Sequence, residues 1–254
     1  MNHEVTSAPE LALPALVNLI VVLADTKYFL GRRLSEWAPA APFLEASVAC
    51  AAIAQEDLGH SRAIYPLLED LAYPNRPAPL ERQTDRDRRF CVRFLDAPFP
   101  TWSHVVAAAV LVDTAVTTMF EALVASRHEA LASRVRRALE EERAHLGYAE
   151  SLVRRLAAIP GGAAALQARV DEALTEMLCW YGPTGEAGVE MLRSQGFLAA
   201  ANDALRQAYL RRVAPLLLEV GVHLPVRWNL EEGSWEVPPL PWERWNATQR
   251  RLEA

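Results

Sequence analysis

From Leu11 to Trp37 apolar residues recur at three- and four-residue intervals, the period of one helical face, and the pattern stops where Pro39 and Pro42 remove backbone donors. A second long helix is predicted from Pro42 to about Ala72. The segment YPNRPAP, 73–79, reads as loop punctuation, and the charged ERQTDRDRRF after it as a short solvated helix inside a long crossover. Helix three should run from about Thr101 to Ser126, and helix four from Glu129 to Ala157, before IPGG. Two or three shorter helices fill 163–220, interrupted at YGPTG, 181–185. From Gly221 the chain holds Pro225, Pro238, Pro239 and Pro241 together with Trp228, Trp235, Trp242 and Trp245. That tail is irregular, yet too aromatic for a linker, and should pack over the helices.

Two helical hairpins joined by one long crossover give the expected fold: all-α, a ferritin-like four-helix bundle with extra C-terminal helices and an irregular Trp-rich tail. One domain is expected over 1–254, with its core bundle at about 11–157, additional helices at 163–220 and a packed tail at 221–254. Composition agrees, because 51% hydrophobic residues and only 11 Gly allow a sizeable core. A net charge of −6 and a pI of about 5.6, with no dense Lys/Arg block, leave nucleic acid without an electrostatic footprint. Cys50, Cys91 and Cys179 are odd in number and scattered in apolar stretches, as reduced core thiols are. The start MNHEVTSAPE lacks a basic region, and the run LVNLIVVLA is about half a membrane span. A cytoplasmic protein with no membrane partner is expected.

The candidate chemistry lies on the bundle helices. In AQEDLGHSRA, Asp57 precedes His60 by three residues, and in LEEERAHLGYAE Glu142 precedes His145 by the same interval, so each pair projects from one side of its helix. One such pair alone is ordinarily a surface or capping arrangement. On helix three, however, Asp113 is the only Asp, Glu, Lys or Arg between Asp96 and Glu121, and a buried carboxylate needs a cation. Asp113 and Glu142 are also equidistant from the turn at Arg127–His128, which puts them at one level of an antiparallel hairpin. Dimetal bundles use acid–histidine pairs on two helices and single carboxylates on the other two, and this oxygen-rich set with two imidazoles suits iron or manganese. Helix one departs from that pattern. Its inward stripe runs through Ile20, Ala24, Lys27, Gly31 and Leu34, so Lys27 stands where a carboxylate is expected, unless it snorkels to solvent or a small rotation brings Asp25 or Tyr28 in its place.

Over nearly its whole length the chain resembles the ferritin-like subunits of bacterial phenylacetyl-CoA epoxidase, the catalytic subunit more than its structural sister. The resemblance is carried by APFLEASVACAAIAQEDLGHSRAIYPLLEDL, PTWSHVVAAAVLVDTA and EEERAHLGYAE, and more weakly by WYGPTGE and GVHLPVRWNLEEGSWEV. GRRLSEW, 31–37, is similar to the structural sister, which lacks a working metal site. The resemblance implies a carboxylate-bridged diiron centre that activates O2 and oxidises the aromatic ring of a CoA thioester, with electrons from a separate reductase. Asp57 or Glu142 would bridge the irons, His60 and His145 would each bind one, and Asp113 would be a terminal ligand. Asp57 is one methylene shorter than the family's Glu, and Lys27 replaces the first-helix Glu.

Three roles are open to Lys27. It can replace one metal's charge within an ion-pair cluster, leaving one metal ion or none; it can ligate directly or as a carbamate; or it can be oxidised or crosslinked to Tyr28. Two functions follow. One is an O2-dependent monooxygenase holding one or two Fe, or Mn, with Lys27 and Tyr28 at the reaction site and an organic substrate, such as an acyl-CoA, between the helices. The other is a non-catalytic or metal-poor subunit that binds a diiron partner, whether in a homo-oligomer or in a complex with a second ferritin-like subunit. Arg32, Arg33 and Arg62 are candidates for CoA contacts and equally plain as surface charge.

Overall fold

Four long helices, α1 (Ala8–Trp37), α2 (Leu44–Ile64), α3 (Trp102–Leu123) and α4 (Glu129–Ala157), carry the fold in the computed structural model, which describes residues 8–71 and 90–253. Helix α1 packs along α2, and α3 along α4, with α2 also against α4, so the molecule is the all-α ferritin-like bundle that the periodicity predicts. Three further helices, α5 (Gly162–Trp180), α6 (Ala187–Ser194) and α7 (Asn202–Glu219), follow.

Helix α3 is the centre of the molecule. Every residue from Ser103 to Phe120 is buried, as expected of a helix apolar on all sides. Helix α5 covers its first half and α7 its second, and Tyr181 Oη donates to the Ala115 carbonyl at 3.3 Å. By length and composition, α3 and the segment Ala12–Ala40 could each cross a membrane; their apolar windows are 94% and 72% buried within the fold, as core helices are.

The boundaries depart from expectation where local chemistry intervenes. Helix α2 ends at Ile64 rather than near residue 72, because Pro66 has no amide hydrogen to continue the ladder, and a separate turn, Leu67–Asp70, follows. Helix α4 has the expected limits, and His128 Nδ1 accepts from Leu131 N at 3.2 Å to cap it. His104 is buried, stacked on Phe94 and Phe99. The loop 73–79 and the charged segment 81–89 lie outside the described residues.

The tail forms two short antiparallel hairpins, β1 (Arg227–Asn229) with β2 (Ser234–Glu236), and β3 (Trp245–Asn246) with β4 (Arg251–Leu252). The Gln207 side chain on α7 acts as a strand edge for the first, accepting from Trp235 N at 2.8 Å and donating to Trp235 O at 2.7 Å. Leu252 N donates to buried Glu176 Oε1 at 3.3 Å and ties the second to α5. The tail therefore packs as its aromatic content suggests.

Helices α1 and α2 pack closely at Gly31. A Cβ there would stand 2.9 Å from the Ala54 carbonyl oxygen and 3.0 Å from Asp57 Cβ. The glycine lets α2 close onto α1 one turn beyond Lys27.

Candidate functional site

Each bundle helix contributes one buried charged side chain to a common point: Lys27 from α1, Asp57 from α2, Asp113 from α3 and Glu142 from α4. Lys27 Nζ lies 2.8 Å from Asp57 Oδ1 and makes closer ion pairs with Asp113 Oδ1 and Glu142 Oε1. It is fully buried and does not snorkel. Its ammonium also sits 5.9 Å from the Phe120 ring centre.

Asp113 closes a π-helical segment, Ala108–Asp113, in which the helix turn widens before α-geometry resumes at Thr114. Such segments often sit at functional positions. One turn later, the Thr117 hydroxyl lies 2.8 Å from Glu142 Oε2 and 2.9 Å from the Asp113 carbonyl, its single proton serving one of them at a time.

The two histidines complete the cluster from α2 and α4. His60 Nδ1 lies 3.1 Å from Glu142 Oε1, and His145 Nδ1 lies 3.3 Å from Asp113 Oδ2 and 3.6 Å from Glu142 Oε2. Their outer nitrogens are held by two glutamates that the acid–histidine spacing does not single out: His60 Nε2 is 2.7 Å from Glu141 Oε2, and His145 Nε2 is 2.5 Å from Glu56 Oε2. The arrangement is reciprocal, since the glutamate of each helix holds the histidine of the other. The signal in the sequence is the repeated form EDLGH and EEERAH, in which a glutamate directly precedes each acid–histidine pair.

Burial alone would lower the Lys27 pKa, but its three carboxylates outweigh that and raise it well above the ordinary lysine value. Burial likewise works upward on Glu142, yet Lys27 and the histidines hold that carboxyl well below its usual range. For Asp57 burial wins over Lys27 and pushes the carboxyl up to about 7. His145 is driven down by burial but more strongly up by Asp113 and Glu142, to about 11. Lys27 and His145 as cations face Glu142 as an anion, with Asp57 drawn toward its neutral form.

One ligand-type atom from each of Asp57, Asp113, Glu142 and His145 lies within 4.8 Å of the others, so a buried acidic and histidine cluster is present. Tyr28, about 100° round the helix from Lys27, stacks edge-on with Phe29 at 5.4 Å, and no hydrogen bond or ion pair among the described residues joins it to the cluster. Arg33 is structural: buried, it donates from Nε to the Leu95 carbonyl at 3.0 Å and from Nη2 to the Asp96 carbonyl at 3.1 Å. Arg32 pairs with Glu36 at 3.3 Å on the surface.

A family model described as phenylacetic acid catabolic protein matches residues 1–253. The chain belongs to this family. One of the subunits of the 1,2-phenylacetyl-CoA epoxidase of Escherichia coli K12 is 28% identical over 134 residues, 53% of this chain and 54% of the relative. The matched stretch thus spans about half the length of that curated relative. At the centre of this chain one lysine contacts Asp57, Asp113 and Glu142 together.

Proposed function

We propose that this chain is a non-catalytic, cytoplasmic ferritin-like subunit of a phenylacetyl-CoA epoxidase-type assembly, in which it binds and supports a metal-bearing sister subunit. One observation carries this reading: Lys27 Nζ contacts Asp57, Asp113 and Glu142 together, the place a cation bridging those carboxylates would take. The residues therefore do not fit a dinuclear iron centre. An ammonium uses a lone pair of each carboxylate, and the first helix brings a lysine rather than a carboxylate to that point. The CoA thioester, the O2 chemistry and the reductase then belong to the assembly and its metal-bearing partner. The partner-facing surface we assign to the outward side of α2, where Leu44 and Val48, one turn apart, are 76% and 62% exposed beside Ala51 and Ala52.

The reading as an O2-dependent monooxygenase draws on a different observation. His60 and His145 keep Nδ1 turned inward, and Asp57 Oδ2 has no hydrogen-bond partner, as in a site able to take a single Fe or Mn ion. Of these atoms, the two Nδ1 nitrogens also face carboxylates of the ion-pair cluster.

Co-expression with a family member that has the full carboxylate and histidine set tests the proposal. The two chains should co-elute, Val48→Glu should weaken that association without lowering Tm, and this chain alone, given Fe(II), reductant and phenylacetyl-CoA, should consume no O2 beyond the protein-free control and form no product. Turnover by the isolated chain would overturn it.

A further inference from the structure

Away from the Lys27 cluster, one side of α5 holds the start of α3. Arg169, Glu172 and Glu176 follow one another at three- and four-residue intervals, so they project from one face of α5. Glu176 Oε2 accepts from Arg93 N at 2.9 Å, ahead of α3, and Arg169 Nη1 reaches His104 Nε2 at 2.5 Å in the first turn of α3. His104 is only 6% exposed, and its ring lies nearly parallel to those of Phe94 and Phe99, at 5.9 and 5.8 Å.

A guanidinium can only donate, so the bond from Arg169 makes His104 Nε2 an acceptor. The ring is therefore neutral, with its proton on Nδ1, which donates to the Thr101 hydroxyl at 2.7 Å. Arg169 Nη1 also lies 2.9 Å from Glu172 Oε2, and that carboxylate oxygen stands 3.8 Å from His104 Nε2, beyond hydrogen-bond reach. Arg169 and Glu172 are the charged groups that face the ring from α5. The segment 93–99 presents Phe94 and Phe99 to it, and α1 and α4, which also pack against this end of α3, bring no charged group to bear on it among the described residues. Burial, and after it Arg169, lower the His104 pKa; Glu172 and Thr101 oppose them without cancelling.

We infer that His104 is an acid-sensitive latch: a solvent proton taken up at Nε2 sets two donors against each other, expels Arg169 and loosens α5 from the first turn of α3. The new N–H has no acceptor within hydrogen-bond distance, and Glu172 must leave Arg169 to satisfy it. Because the folded pKa lies below that of an unfolded histidine, the latch contributes fully above the ordinary histidine value and is lost as pH falls through the folded one. The latch is independent of the epoxidase-type reading, because neither metal nor partner takes part in it.

Hydrogen exchange of the full chain, read by mass spectrometry at pH 7.5 and pH 5 and corrected for the intrinsic rate at each, tests this in wild type, His104→Gln and Arg169→Met. A glutamine can accept from Arg169 but takes up no proton. In wild type the amides of Trp102–Ala107 and of the first half of α5 should lose protection by at least about tenfold at pH 5, the loss of one charge-assisted hydrogen bond, while those of α7 should not. His104→Gln should keep its protection at both pH values. Arg169→Met lacks the bond at both, so its α5 amides should exchange faster already at pH 7.5 and change little on acidification; it decides the matter if His104→Gln fails to fold. No loss in wild type at pH 5, a loss shared equally by α7, or a loss of the wild-type size in either folded variant would overturn the inference.

Discussion

Lys27 is the residue on which the centre of this molecule turns, and its removal has a defined cost. Lys27→Met would leave Asp57, Asp113 and Glu142 buried without their shared cation, a change of the kind that costs about 3–5 kcal/mol. The loss should be greatest near neutral pH and shrink toward pH 5. Without the ammonium the folded carboxyls bind protons that the unfolded chain has already released, so stability rises as pH falls. Equal Tm values for wild type and Lys27→Met at pH 7.5 would contradict the ion-pair account. In wild type, His145 sets the alkaline side. Its folded pKa is raised to about 11, so its stabilisation is complete below the ordinary histidine value and is lost as pH rises through 11. Asp57, raised to about 7, adds a loss over the range from the ordinary aspartate value up to 7, and Glu142, held low, gives its own loss only at acid pH. Tm should therefore be highest on the mildly acidic side and decline above neutrality, and His145→Gln should flatten the decline above pH 7. A decline of the same slope in His145→Gln would remove the imidazolium from the cluster.

At the scale of elements, the meeting of four helices at one level depends on how closely α1 and α2 pack. Gly31→Ala would place a methyl group 2.9 Å from the Ala54 carbonyl and 3.0 Å from Asp57 Cβ. Overpacking of this kind costs about 1–3 kcal/mol, against the roughly 1 kcal/mol by which Ala is the better helix former. Thermal melts should show a lowered Tm; an unchanged or raised Tm would mean that α2 yields freely there. The helices themselves are legible in the sequence, because a period sustained over twenty or more residues specifies a helix and its apolar face. So is the common depth of Asp113 and Glu142, which follows from counting outward from a tight turn, and so is the inward position of Lys27 on a stripe with Ala24 and Gly31. The π-segment before Asp113 is not legible, since a one-residue widening leaves no mark in an all-apolar run. Glu56 and Glu141 escape notice for a related reason. Each sits four residues before its own histidine, where a surface pair is the ordinary reading, and only the packing of α2 on α4 shows that each reaches the other helix's ring. The break at Pro66 is written in the sequence, but the apolar period on either side of it points past the proline.

Across the whole molecule, the tail does more than cover the helices. Its four tryptophans and two hairpins fix the chain against α5 and α7, and in doing so carry Arg250 back to the Trp180 carbonyl at the end of α5, a contact between residues far apart in the chain that no local pattern encodes. The bundle has the ferritin-like form and two acid–histidine pairs, yet an ammonium holds the point where those pairs converge. In this account the chain lends a sister subunit shape and surface while its own centre is closed by charge. Iron content after anaerobic loading with Fe(II) and desalting, measured in parallel for wild type and Lys27→Glu, tests that claim most directly. The account predicts essentially no iron in wild type and about two ions per chain in Lys27→Glu, where the bundle would again offer a carboxylate from every helix and two histidines. Two irons bound by the wild-type chain, with Lys27 in place, would contradict it.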